Sequence, residues 1–241
     1  RWQRTLLSGP RREELRSYWR EALADAPMAV RLPYDHERPG PRSDHGGHVT
    51  VRIGRELTDE VEALARACGS TPFTVLLSAF GTLLHRLTGQ HEVVIASSIA
   101  NRTRQEHEPL VGLFGNSLAL RLPAAEADAA GVPAAIDGAA RSFFSAAEHQ
   151  EYPLSLVVAD HADRNPPDRP PFPQVLMVME SQGVPVLTMP GLTARVHDVP
   201  LDGCRWDLCL VLTPDADGID MLLLYAADRF EAATARRWAA D

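Results

Sequence analysis

The side chains that could do chemistry are spaced badly for every common catalytic arrangement. In "DHGGH", His45 and His48 stand three apart in a Pro- and Gly-rich connection with no third ligand nearby in sequence. A structural metal site takes about four ligands, so a pair of solvated loop histidines is expected. His85 lies beside Arg86, off the apolar stripe of the strongest helix pattern, and reads as exposed. Ser97 and Ser98 in "IASSIA" and Ser117 in "FGNSLA" lack the G-x-S-x-G setting of a strained nucleophile turn. "HEVV" and "HQEYP" bring His close to Glu, but side chains so near in sequence point apart and make no dyad. Neither a dinucleotide fingerprint nor a Walker loop occurs.

One further stretch draws notice. "VGLFGNSLALRL", Val111 to Leu122, reads as an apolar strand, yet it contains two glycines and an asparagine near its start. Glycine gives a sheet no side chain to pack and often marks a bulge or a close backbone approach. A buried asparagine needs partners or water.

The elements that must position these residues are clearer. A helix is expected from about Pro10 to Leu23, then a turn-rich connection and a strand at "HVTVRI". "LTDEVEALARACG" carries Leu57, Val61, Leu64, Ala65 and Cys68 on one helical face. In "STPFTVLLSAFGTLLHRLTGQ", Thr71 serves as N-cap, Pro72 opens the helix and Gly89 lies past its end. "EVVIASSIA" follows as an apolar strand, and helices are expected from Pro133 and after Pro153. The last third reads as strands at "FPQVLMVMES", "LTARVHDV", "RWDLCLVLT" and "GIDMLLLYAA", with "PDADG" turning the final pair and a helix closing the chain. Helices interleaved with strands predict an α/β or α+β layered unit, most simply one domain.

Composition narrows the function classes. With 241 residues, 45% hydrophobic, the chain is long and apolar enough to bury a core. The net charge of −8 and scattered basic residues predict no nucleic-acid partner. No apolar run approaches a membrane span, and the charged amphipathic N-terminus does not read as a secretory leader. Three cysteines, Cys68, Cys204 and Cys209, form no C-x-x-C pair, which fits reduced thiols in a cytoplasmic protein.

Taken in order, "SYWREALADAP", "GSTPFTVLLSAFGTLLHRLTGQHEVVIASSIANR", "LVGLFGNSLALRL", "HQEYPLSLVV", "PFPQVLMVME", "RWDLCLVL" and "LLYAADRFEAAT" resemble successive blocks of the condensation domains of nonribosomal peptide synthetases. Typical family equivalents read "VGFFVNTLVLR", "HQDYPFE", "FQVMF" and "YNTDLF". This chain departs at position 115, Gly for Val, and at 117, Ser for Thr, and lacks the acid after Pro in "HQEYPLS". The resemblance implies a chloramphenicol acetyltransferase-like fold, with a mixed β-sheet covered by helices. In it two lobes form a V, and carrier proteins deliver phosphopantetheine-bound substrates into a tunnel between them. The acceptor amine attacks the donor thioester and an amide forms. The family's HHxxxDG signature, whose second histidine is proposed as base or amine-positioning group, is not in this sequence. Residues 1–241 are therefore expected to be the C-terminal lobe, inactive alone and with no cofactor of its own. The implied partners are the N-terminal lobe, peptidyl carrier domains and an adjacent adenylation domain, with no membrane.

On the same resemblance, Gly112 and Gly115 would let a pantetheine arm or a neighbouring backbone approach, and Asn116 would hydrogen-bond an amide or thioester carbonyl. The alternative is a glycine bulge with Asn116 satisfied by backbone. Gln174 would face the cleft from a strand and hold the amine or carbonyl, or else face water. Arg102 would hold the bridging loop through Glu106 or Glu108, or else be solvated. Asp207 is expected to bond backbone at a strand start, Tyr152 and Pro153 to shape a helix start, and Asp228 to cap the last helix. The segment Val184 to Pro190 is expected to cross to the other lobe and to be mobile or swapped. Two rival functions remain: a non-catalytic platform recruiting a carrier protein or tailoring enzyme, and a free-standing acyltransferase of the same fold. The second would need a tunnel histidine from this chain, and none of the nine lies in an HHxxxDG-like setting.

Overall fold

A computed structural model describes residues 2–37, 43–124, 131–164, 172–180, 188–189, 191–193 and 203–241. The chain divides into two compact units, residues 1–33 with 64–176 and residues 34–63 with 177–241. The described residues form a mixed α/β fold, with a six-stranded sheet and seven α-helices among them.

The first unit holds α1 (Trp2–Leu7), α2 (Arg11–Ala22), α4 (Pro72–Thr88), β2 (Glu92–Ile99), β3 (Asn116–Pro123), α5 (Gly131–Glu148) and α6 (Leu154–Asp160), with α3 (Arg55–Ala67) entering it at its last turn. Thr71 and Thr74 cap α4 reciprocally, and Gly89 ends it in the left-handed conformation at φ 66°. β2 and β3 pair antiparallel from Ile99 opposite Asn116 to Glu92 opposite Pro123. Val93, Ile95, Leu118, Leu120 and Leu122 are buried, and the bare Gly81 of α4 lets that helix lie close over Leu122. Between α2 and α5, the ring of Tyr18 stacks on His149 with centroids 3.6 Å apart. Arg121 of β3 forks onto Glu92 at 3.1 and 2.8 Å and reaches the Ala24 carbonyl at 2.9 Å.

The second unit contains β1 (Gly46–Gly54), most of α3, β5 (Thr188–Met189), β6 (Leu192–Thr193), β7 (Leu208–Asp215), β8 (Gly218–Ala226) and α7 (Ala232–Ala240). The division falls within β4 (Val175–Met179). β1 runs antiparallel to β8, and β7 pairs antiparallel with β8. The "PDADG" turn makes this last hairpin as expected; at Gly218 a Cβ would collide with the Ile53 carbonyl at 2.1 Å. α7 is capped from far away in sequence. Asp35 accepts the Glu231 N–H at 2.8 Å and the Thr234 hydroxyl at 3.0 Å. Asp228, the expected cap, instead accepts the Ser43 N–H at 3.3 Å, since that backbone passes within its reach.

Several local expectations change. His48 sits in β1 opposite Leu224, and His45 bridges to Gly203, so neither belongs to a loose loop. His85 is half-buried, with Nδ1 2.9 Å from the Gln90 carbonyl, and burial holds its pKa below the usual histidine value. Asp207 is fully buried and accepts the Tyr34 hydroxyl at 2.8 Å. Cys204 and Cys209 are buried, and burial with Cys204 alongside pushes the Cys209 thiol up to about 12, which keeps it protonated. Of the expected crossover, residues 184–187 and 190 lie outside the described residues. Thr188–Met189 pairs antiparallel with Leu192–Thr193, and the expected "LTARVHDV" strand is otherwise outside the described residues.

Candidate functional site

The apolar strand expected from Val111 begins only at Asn116. Residues 110–115 are instead a displayed loop, in which only Phe114 is partly covered among the described residues. Val111 and Leu113 are fully exposed and Leu110 half so.

The loop is held at its base by two adjacent residues. Asn101, at a left-handed φ of 52°, donates from Nδ2 to the Phe114 carbonyl at 3.2 Å. Arg102 donates to the carbonyls of His107 and Leu110, the latter at 3.0 Å, and its guanidinium lies 4.4 Å from the Phe114 ring centre. Arg102 thus holds the loop, but through backbone carbonyls, that of Glu108 at 3.5 Å among them, rather than the carboxylates of Glu106 or Glu108, since the planar fork matches the turn made by residues 107–110. His107 is buried beneath, its ring 4.6 Å from Trp2 and 5.1 Å from Phe114. Arg102→Ala is expected to speed amide exchange across residues 103–114 about ten- to a hundredfold, given that hydrogen bonds to charged groups contribute about 1.5–3 kcal/mol. Lysine should not restore protection, because it lacks the planar fork. Exchange mass spectrometry reads both, with β2 and β3 as internal reference.

Asn116 is fully committed. Its Nδ2 donates to the carbonyls of Gln150 and Tyr152, each at 2.8 Å, and its Oδ1 accepts the Leu154 N–H at 3.2 Å. It therefore caps α6 and fastens the "HQEYP" turn to the start of β3, with no amide hydrogen left for a substrate. Tyr152, buried at that turn, donates to Asp160 at 2.7 Å. Burial and this bond push its pKa to about 12, so the phenol stays neutral. Arg16 completes the group by donating to Asp160 at 3.0 Å.

Gln174 lies one residue before β4 and is 1% exposed, facing neither a cleft nor water. Its Oε1 accepts the Val30 N–H at 3.0 Å, and its Nε2 is 3.5 Å from the Met28 carbonyl. Gln90, unremarked in the sequence, does the same for the next residues: Oε1 accepts from Arg31 at 2.6 Å and Nε2 donates to Ala29 at 3.1 Å. Two buried amides thus stand in for the strands that would otherwise satisfy this extended segment.

Crowding demands neither glycine, but Gly112, at φ 158°, holds a backbone conformation that residues with a Cβ rarely adopt, whereas Gly115 does not. A Cβ at Gly112 would lie 3.7 Å from the Phe114 ring, and one at Gly115 would lie 3.7 Å from the Ile99 carbonyl, both ordinary contacts. Among the described residues no group of three His, Cys, Asp or Glu could hold a metal. No single helix there is long and apolar enough to cross a membrane.

The condensation-domain family model matches residues 1–241, and the chain belongs to that family. It is 36% identical over 239 residues to malpibaldin synthetase of Mortierella alpina, covering 98% of this chain and 4% of that protein. Among solved structures, the first condensation domain of the CDA synthetase superposes with a TM-score of 0.78 at 18% identity, over 99% of this chain and 51% of that one. The X-domain in complex with OxyB from teicoplanin biosynthesis gives 0.84 at 24% identity, over 99% and 54%. The expected chloramphenicol acetyltransferase-like architecture holds. The chain spans a few per cent of that curated relative and about half of each of these structures.

Proposed function

We propose that this chain is the C-terminal lobe of a nonribosomal peptide synthetase condensation domain. It supplies one wall of the chamber in which an acceptor amine attacks a donor thioester, both carried on phosphopantetheine arms of peptidyl carrier domains. The supporting observation is that the family match runs the full 241 residues while covering about half of a solved condensation domain. The exposed, clamped run Leu110–Leu113 fits a surface made to be covered by the other lobe. Proton handling is assigned to that lobe, because HHxxxDG is absent from the sequence. The adenylation domain that loads the acceptor is the expected neighbour.

The test compares this chain with the complete domain containing it, each given carrier-loaded donor and acceptor. Amide product from the complete domain and none from this chain is expected. Turnover by residues 1–241 alone would place the chemistry here and overturn the assignment. A recruitment platform is the second reading, favoured by the likeness to an X-domain solved with OxyB. Carrier or tailoring-enzyme binding without amide formation by the complete domain would select it.

A further inference from the structure

We propose that the groove between α2, α5 and β3 docks an extended segment of a partner protein, one that carries an arginine or lysine beside apolar residues. The inference does not rest on the function proposed above. β3 is the last strand of the six-stranded sheet, so one of its edges is open. Two residues set the phase of that edge. The Ala124 N–H donates to the His91 carbonyl at 2.6 Å, and Pro123, opposite Glu92, has no N–H to give. Glu92 with Pro123 is therefore a pair without mutual hydrogen bonds, and so is Val94 with Arg121 two places on. Both main-chain groups of Arg121 consequently point away from β2, and no described residue takes them up. One residue of an added strand can accept and donate there, which calls for an extended occupant.

Beside this edge lies a groove of about 760 Å³, with α2 and α5 as its walls and Ala119, Arg121 and Pro123 along β3. Phe144 stands in it 48% exposed, as an apolar seat. Charge selects what sits there. Arg121 is spent on Glu92 and the Ala24 carbonyl, and Arg141 on Asp137. Glu21 on one wall and Glu148 on the other have no basic partner among the described residues. A guanidinium or ammonium group matches these two carboxylates, whereas an acidic segment meets like charge. The net charge of −8 favours the approach of basic segments in the same sense.

The experiment uses the 241-residue chain and two synthetic peptides, acetyl-TVRVT-amide and acetyl-TVEVT-amide. Calorimetry should show the first binding and the second weaker by about tenfold or more, since the charged hydrogen bonds are lost. The peptide exchange leaves the protein unaltered, so folding cannot explain it. Glu21→Gln combined with Glu148→Gln should weaken the arginine peptide by a similar factor and leave the glutamate peptide no weaker. In hydrogen exchange read by NMR, saturating arginine peptide should slow the Arg121 amide about tenfold or more, beyond any change at Leu120 and Leu122, which face β2. No binding of the arginine peptide at millimolar concentration overturns the inference. So does binding indifferent to both charge changes, or binding that leaves the Arg121 amide unprotected. An Arg121 amide already as protected as that of Leu120 in the free chain would show the edge covered, and overturns it equally.

Discussion

Asn116→Ala should lower the unfolding free energy by about 3 kcal/mol. Each hydrogen bond contributes about 1 kcal/mol net, and a group stripped of its partner while shielded from water costs about 1–3 kcal/mol more. Three bonds go at once: the carbonyls of Gln150 and Tyr152 lose their donor, and the Leu154 N–H at the start of α6 loses its acceptor. Asn116→Asp is the informative companion. It keeps an acceptor for Leu154 but sets a carboxylate against two carbonyl oxygens, so it should not recover the loss. Urea denaturation of residues 1–241 measures both. If the asparagine served only a substrate, stability would be untouched and the loss would appear in KM of the complete domain.

The second large effect is expected at Gln174. Gln174→Ala leaves the buried Val30 N–H without its acceptor at 3.0 Å and opens a cavity at a position only 1% exposed. Cavity and stranded donor together should cost about 3–4 kcal/mol. Gln174→Glu tests the polarity of the arrangement. A carboxylate can still accept from Val30, but it opposes the Met28 carbonyl and must be buried as a charge or take up a proton. It should destabilise less at pH 5 than at pH 8, as a folded-state carboxyl raised by burial gives up its proton only with difficulty. Equal losses at both pH values would mean that water reaches the site.

What could be read from the sequence followed the range of the interactions. The α4 cap was legible because Thr71 and Pro72 are adjacent, and the final hairpin because its turn lies between its strands. The strand after Val111 was extended five residues too far, since apolar composition alone does not separate a packed strand from a displayed loop. Arg102 was rightly joined to the loop that follows it, yet with the wrong acceptors, because backbone carbonyls leave no mark in a sequence. Asn116 is satisfied by backbone, as the alternative reading had it, but which backbone was not legible, and Gln174 was legible only as a polar residue in apolar surroundings. Their partners lie 34 to 38 and 144 to 146 positions away. Asp35 on α7, 196 positions from Glu231, was invisible for the same reason.

The pairing of β1 with β8 bears on how the protein is made. Among the described strands Gly46–Gly54 pairs with Gly218–Ala226, so on the ribosome the early strand waits while more than 160 further residues are synthesised. At elongation speeds of about 5–20 residues per second that wait is roughly ten to thirty seconds. Through all of it the strand's hydrogen-bonding edge stands open to any passing nascent chain, and chaperone demand should peak before Gly218–Ala226 emerges.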